Sequence, residues 1–192
     1  KVNLLVDIQA KLAEGKGPGY ERWAKVFNLK QMAAALAYLQ DNGLTEYGEL
    51  EKKAAETTDR FHVLSDRIKQ TENATNTNRE LKTATVQYAR TRPVFEKYKA
   101  AKYSRKFLAA HEADIELYRA AQADLKRLLD GAKLPKMDVL KEEGRRLAEQ
   151  KRKLYAEYQR VRRDMQEVNT AKANIDYLLG YAGQDKKKEQ ER

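Results

Sequence analysis

The sequence predicts an all-α protein, an elongated helical bundle with long coiled-coil helices and a small N-terminal helical head. Three observations carry this expectation. Charged residues make up 35 % of the 192 positions, against 3 prolines and 9 glycines, which is the composition of long helices. Apolar residues recur every seven positions from Leu140 to Ile175. The mean hydropathy of −0.88 leaves too little apolar material for a thick core, so each helix should bury a stripe rather than its whole surface.

The elements follow in order. Residues 2–13 are amphipathic, with Leu5, Ile8 and Leu12 on one side, until Gly15, Gly17, Pro18 and Gly19 break the pattern. It restarts over Tyr20–Phe27, and Asn28 is placed to cap a second helix carrying Leu29, Met32, Ala33, Leu36 and Leu39. Asn42-Gly43 closes that helix. Residues 1–43 thus read as the head and its linker, with Trp23 as the expected anchor.

Thr45 is placed to cap a long helix reaching about Thr91, with a seam at Tyr47, Leu50, Ala54, Phe61, Leu64 and Ile68. Asn and Thr residues between 71 and 78 leave the seam polar. No Gly or Pro stands there, so the helix is expected to continue and resume at Leu81, Thr85 and Tyr88. Pro93 is expected to interrupt it. A short helix with Phe95 and Tyr98 follows, then one capped by Ser104 and running from about 105 to 130. The face of that helix is Phe107, Leu108, His111, Ile115, Tyr118, Leu125 and Leu128, and Gly131 ends it.

After Leu134-Pro135 comes the strongest signal, Leu140, Leu147, Leu154, Val161, Val168 and Ile175. A gapless seven-residue repeat of that length requires a packed helix roughly 65 Å long. Its companion positions are mixed, Gly144, Lys151, Tyr158, Met165, Lys172 and Leu179, which suits an irregular bundle better than a pure zipper. Residues 44–180 therefore read as a long-helix bundle, and residues 181–192 as a disordered charged tail.

Several chemistries find no residues to carry them. Without cysteine there is neither a disulfide frame nor a thiolate metal site, which fits a cytoplasmic location. No apolar run approaches a membrane span, and no signal-peptide pattern opens the chain. It begins at Lys1, so a partner domain is expected outside this sequence. His62 and His111 belong to no metal-binding pattern, and His111, on an apolar face, reads as a residue at the edge of the core. No strand precedes Gly15, Gly17 and Gly19, so they do not make a phosphate loop. No catalytic residue, metal or cofactor is assigned, and the fragment is expected not to be an enzyme.

The net charge is +10, and its distribution points to a polyanion partner. Residues 82–107 hold eight cations against one carboxylate, Glu96. Within them Arg90, Arg92, Lys97, Lys99, Lys102, Arg105 and Lys106 alternate with Tyr88, Phe95, Tyr98, Tyr103 and Phe107. Positive charge beside aromatic rings suits single-stranded DNA, whose phosphates are neutralised while bases stack. Tyr98 and Tyr103 are the candidate platforms. The competing reading is that these rings pack the turn between helices. A second basic face, Lys141, Arg145 and Arg152, carries less weight because Glu142 and Glu149 stand close by.

Four strings carry a resemblance. They are Gly19-Tyr-Glu-Arg-Trp-Ala-Lys-Val-Phe-Asn-Leu-Lys-Gln-Met32, Lys97-Tyr-Lys-Ala-Ala-Lys-Tyr-Ser-Arg-Lys-Phe107, His111-Glu-Ala-Asp114 and Tyr155-Ala-Glu-Tyr158. Together they resemble the C-terminal helical region of relaxases, the mobilization nucleases of conjugative transposons in Gram-positive bacteria. The likeness spans about residues 4–180. It implies an N-terminal nuclease domain that nicks one strand at the transfer origin through a tyrosine and a histidine-bound metal. None of those motifs maps onto this chain. The expected function is that of a non-catalytic accessory domain, binding single-stranded or transfer-origin DNA, or other mobilization proteins. The alternative is a coiled-coil interaction module, including a homodimer, without DNA binding.

Overall fold

The structure is a computed structural model that describes residues 4–14 and 29–180. Among the described residues every regular element is an α-helix. In order they are α1 Leu4–Glu14, α2 Leu29–Asp41, α3 Tyr47–Ala100, α4 Arg105–Ala110, α5 Glu112–Leu129 and α6 Met137–Leu179. The chain is an all-α helical bundle, as its composition and periodicity predict. The glycine-rich break after α1, the helical pattern over 20–27, the Trp23 anchor, the Asn28 cap and the tail from 181 lie outside the described residues, as does the side chain of Leu12.

The chain divides into two compact units, Lys1–Ser65 with Ala156–Arg192, and Asp66–Tyr155. In the first, Leu4 and Ile8 of α1, Leu39 of α2, Leu50 and Ala54 of α3 and Val168, Ile175 and Leu178 of α6 share one core. The head helices are thus built into this unit together with the long helices. Gly43 takes φ +61° at the end of α2. There Gly43 N–H donates to the Gln40 carbonyl at 3.1 Å and Leu44 N–H to that of Leu39 at 2.9 Å, the paired closure that glycine permits at a helix end. The start of α3 differs from expectation. Glu49, not the Thr45 hydroxyl, caps it, its carboxylate accepting from the N–H groups of Thr45 at 2.9 Å and Glu46 at 3.1 Å. A carboxylate there also offsets the helix dipole.

In the second unit α3 runs without a break through the Asn/Thr stretch. The hydroxyls of Thr71 and Thr75 donate to the carbonyls four residues back, at 2.8 and 2.7 Å. Buried Asn78 donates through Nδ2 to the Leu140 carbonyl at 3.0 Å. The polar seam is therefore satisfied, which removes the main cost of burying it. Gly144 gives that asparagine room, since a Cβ at 144 would stand 3.1 Å from Asn78 Oδ1. All six residues of the seven-residue repeat on α6 are buried, none more than 4 % exposed, while their companions are half-buried.

Two expected breaks move. Pro93 does not interrupt α3, which continues to Ala100. Proline costs about 3 kcal/mol inside a helix. Here it stands on the exposed side together with exposed Ala89, whose carbonyl is the one that proline, lacking an N–H, leaves without its helical donor. Burial of Thr91 and Tyr98 on the opposite side offsets the loss. Conversely, the single helix expected from 105 to 130 is two, divided at His111, whose φ of −133° is not helical. Glu112 and Asp114 open α5, where acidic residues favour a helix start. His111 is exposed rather than at the core edge, its ring against Phe107 with centroids 4.4 Å apart.

Candidate nucleic-acid interface

The basic stretch occupies the last turns of α3, the turn after it and the start of α4, all within the second unit. Because α3 persists through Pro93, its cations are fixed on a regular helix. The turn ends α3 as Gly43 ends α2, with Lys102 N–H donating to the Lys99 carbonyl and Tyr103 N–H to that of Tyr98, both at 3.0 Å. It does so without glycine. Lys102 and Tyr103 take φ of 52° and 59°, a conformation that costs L-residues roughly 1–2 kcal/mol each. Ser104 then caps α4, its hydroxyl accepting from Phe107 N–H at 3.5 Å, so the turn is held from both sides.

The aromatic rings between these cations are used internally. Phe95 stacks on Tyr118 of α5 with centroids 4.1 Å apart, and Tyr88 stacks on the same ring at 5.1 Å. Tyr98 meets Phe95 and Phe107, each at 6.1 Å, and Tyr103 edge-on at 5.2 Å. These contacts form a continuous column from α3 to α4 and α5. Such ring pairs add about 0.5–1.5 kcal/mol each beyond their buried area. Tyr118 is pushed up to about 12, first by its hydrogen bond with Tyr88 and then by burial. Tyr98, only 5 % exposed, therefore cannot be a base-stacking platform. The seven-residue line Ala84, Thr91, Tyr98 carries it into the core. Tyr103, 53 % exposed, is the one ring of the five that stands out into solvent.

The cations behave differently. Arg90, Arg92, Lys97, Lys99, Lys102, Arg105 and Lys106 are all exposed, and none forms an ion pair with a described residue. Lys97 and Lys99 complement the C-terminal dipole of α3, worth about 0.3–1 kcal/mol each. That purpose needs no more than one or two of the seven. On the second basic face Arg145 pairs with Glu142 at 3.4 Å, while Lys141 and Arg152 are exposed. Around them Arg146 pairs with Glu143, Lys153 with Glu149 and Lys151 with Glu72, so that face is largely neutralised.

One polar constellation escaped the sequence reading. In the first unit Tyr47 donates to Asp176 Oδ1 at 2.5 Å, and Lys172 Nζ donates to Asp176 Oδ2 at 2.6 Å and to the Tyr47 hydroxyl at 3.2 Å. Burial and then the Asp176 hydrogen bond push Tyr47 up to about 12. Burial opposes the charge on Lys172, yet Asp176 and Tyr47 raise its pKa. A phenol held neutral beside a carboxylate is a poor nucleophile at neutral pH, so the triad reads as a bond between α3 and α6. Its signal was Lys172, a charge at a companion position of the heptad repeat.

Among the described residues no group of three His, Asp or Glu side chains converges as a metal site, and no helix is long and apolar enough to cross a membrane. No protein-family model, characterised protein or solved structure matches the chain significantly.

Proposed function

We propose that this chain is a non-catalytic, cytoplasmic helical module that holds DNA by its phosphates, as an accessory region of a relaxase in DNA mobilization. The observation that carries the reading is the set of seven exposed cations between 90 and 106, unpaired among the described residues and opposed by Glu96 alone within that stretch. Counterion release on neutralising phosphates supplies the affinity of such a surface. Burial of the neighbouring rings makes the support stiff and leaves charge, rather than stacking, as the main source of contact. The relaxase context rests on the sequence resemblance, and other mobilization proteins fit it as further partners.

The interaction-module alternative has less support. Such a module would use an apolar stripe left for a partner, and the stripe on α6 is already buried within this chain. The test is fluorescence anisotropy with labelled DNA. Replacing Arg92, Lys99, Lys102 and Arg105 together by Glu should abolish binding while circular dichroism retains its helical signal. Unchanged affinity refutes the assignment.

A further inference from the structure

The arrangement of the cations on α3 says which form of DNA they suit. At about 100° per residue, Arg90 and Lys97 share one flank of the helix and Arg92 and Lys99 the other, roughly 160° around the axis. Members of each pair stand about 10 Å apart along it. Between the flanks, opposite the buried line of Ala84, Thr91 and Tyr98, lie Val86, Ala89, Pro93 and Ala100, all exposed. Apart from Glu96, that outward strip is uncharged and low in profile.

Resting on the DNA-binding reading, we propose that the last four turns of α3 seat in the major groove of duplex DNA. Arg90 and Lys97 then reach the phosphates of one groove wall, and Arg92 and Lys99 those of the other. A helix with its side chains is about 10–12 Å across, and the groove of B-DNA is about 12 Å wide. The small residues of the outward strip let the helix axis approach the base edges. With Ala89, Pro93 and Ala100 as its main floor contacts, the strip offers few hydrogen-bonding groups, so weak sequence preference is expected. A single strand presents no pair of walls and cannot engage both flanks at once. Duplex RNA, whose major groove is deep and narrow, excludes the helix. Within the stretch, Glu96 is the carboxylate that opposes the approach.

The test compares the intact chain on three labelled probes of about 20 nucleotides or base pairs, namely duplex DNA, one of its strands and duplex RNA of the same sequence. The duplex DNA is expected to bind at least about tenfold more tightly than either of the others. Ala89→Leu with Ala100→Leu keeps the charge and should weaken duplex DNA binding about tenfold while leaving single-strand binding unchanged. Glu96→Gln, which needs no new packing, should tighten duplex DNA binding. Equal affinity for all three probes, with both variants neutral, overturns groove seating but leaves phosphate binding standing. Absence of binding to every probe overturns both.

Discussion

The Phe95 ring lies on that of Tyr118, centroids 4.1 Å apart and planes 15° from parallel. An aromatic residue in the most basic stretch of the chain thus faces α5 and not solvent. Truncating it should cost the packing of a half-buried aromatic, about 3 kcal/mol. Phe95→Ala is therefore expected to lower the midpoint of thermal unfolding, followed by circular dichroism, by several degrees. DNA affinity measured well below that midpoint should change much less than it does on reversing Arg92 and Lys99. A variant with native stability and lost affinity would show the ring acting at the surface.

Pro93 carries the opposite expectation. It interrupts no more than one backbone hydrogen bond in α3, and its surroundings are exposed. Pro93→Ala should restore that bond and stabilise the chain by up to about 3 kcal/mol. Urea unfolding reads this directly, as a higher midpoint at unchanged slope. A lower midpoint would mean that the proline sets a helix geometry on which the Thr91 and Tyr98 packing depends.

Thr71 lies in the buried seam with its hydroxyl on the Arg67 carbonyl. That carbonyl keeps its helical hydrogen bond whatever the side chain, so Thr71→Val removes a buried hydroxyl without orphaning a partner. A gain of about 1 kcal/mol is expected, again from urea unfolding. A loss of similar size would show that the polar seam is required for packing.

Alkaline pH tests the triad in the first unit. Tyr47 is pushed up to about 12 in the fold, against about 10 unfolded. The stabilisation from the neutral phenol is fully present below pH 10 and is lost as pH rises from 10 to 12, because the unfolded chain ionises first. Lys172, also raised, shifts stability in the same sense. Tyr47→Phe should melt lower than the native chain at pH 8, yet lose less stability between pH 10 and 12. Parallel pH profiles for the two proteins would remove Tyr47 as the titrating group.

Much of this architecture is legible in the residues. The repeat from Leu140 to Ile175 is strict, and a buried stripe tolerates few other ways to space six apolar side chains. The Asn/Thr stretch of α3 is also readable, because threonine hydroxyls can bond their own helix. Less visible is any property decided by a neighbouring helix. Pro93 is a strong local breaker, and burial of Thr91 and Tyr98 against that preference is a tertiary effect. The division at His111 involves no glycine or proline; its trace is the acidic pair Glu112 and Asp114 at the start of α5. Within the candidate interface the cations were read from charge density alone. Which rings remain free depends on what the elements after α3 cover: Tyr98 packs against Tyr103 of the turn and Phe107 of α4, contacts that charge density does not reveal. The line Ala84, Thr91, Tyr98 brings Tyr98 into the core only because α3 continues past Pro93.

The salt dependence of DNA binding tests the account most directly. If several cations from Arg90 to Lys106 each neutralise a phosphate, the logarithm of the association constant for duplex DNA should fall linearly with the logarithm of salt concentration. A slope of about −4 to −6 is expected, near −0.9 per contact, and it should collapse when Arg92, Lys99, Lys102 and Arg105 are replaced by Glu. A slope near zero, or one unaltered by those replacements, would contradict it.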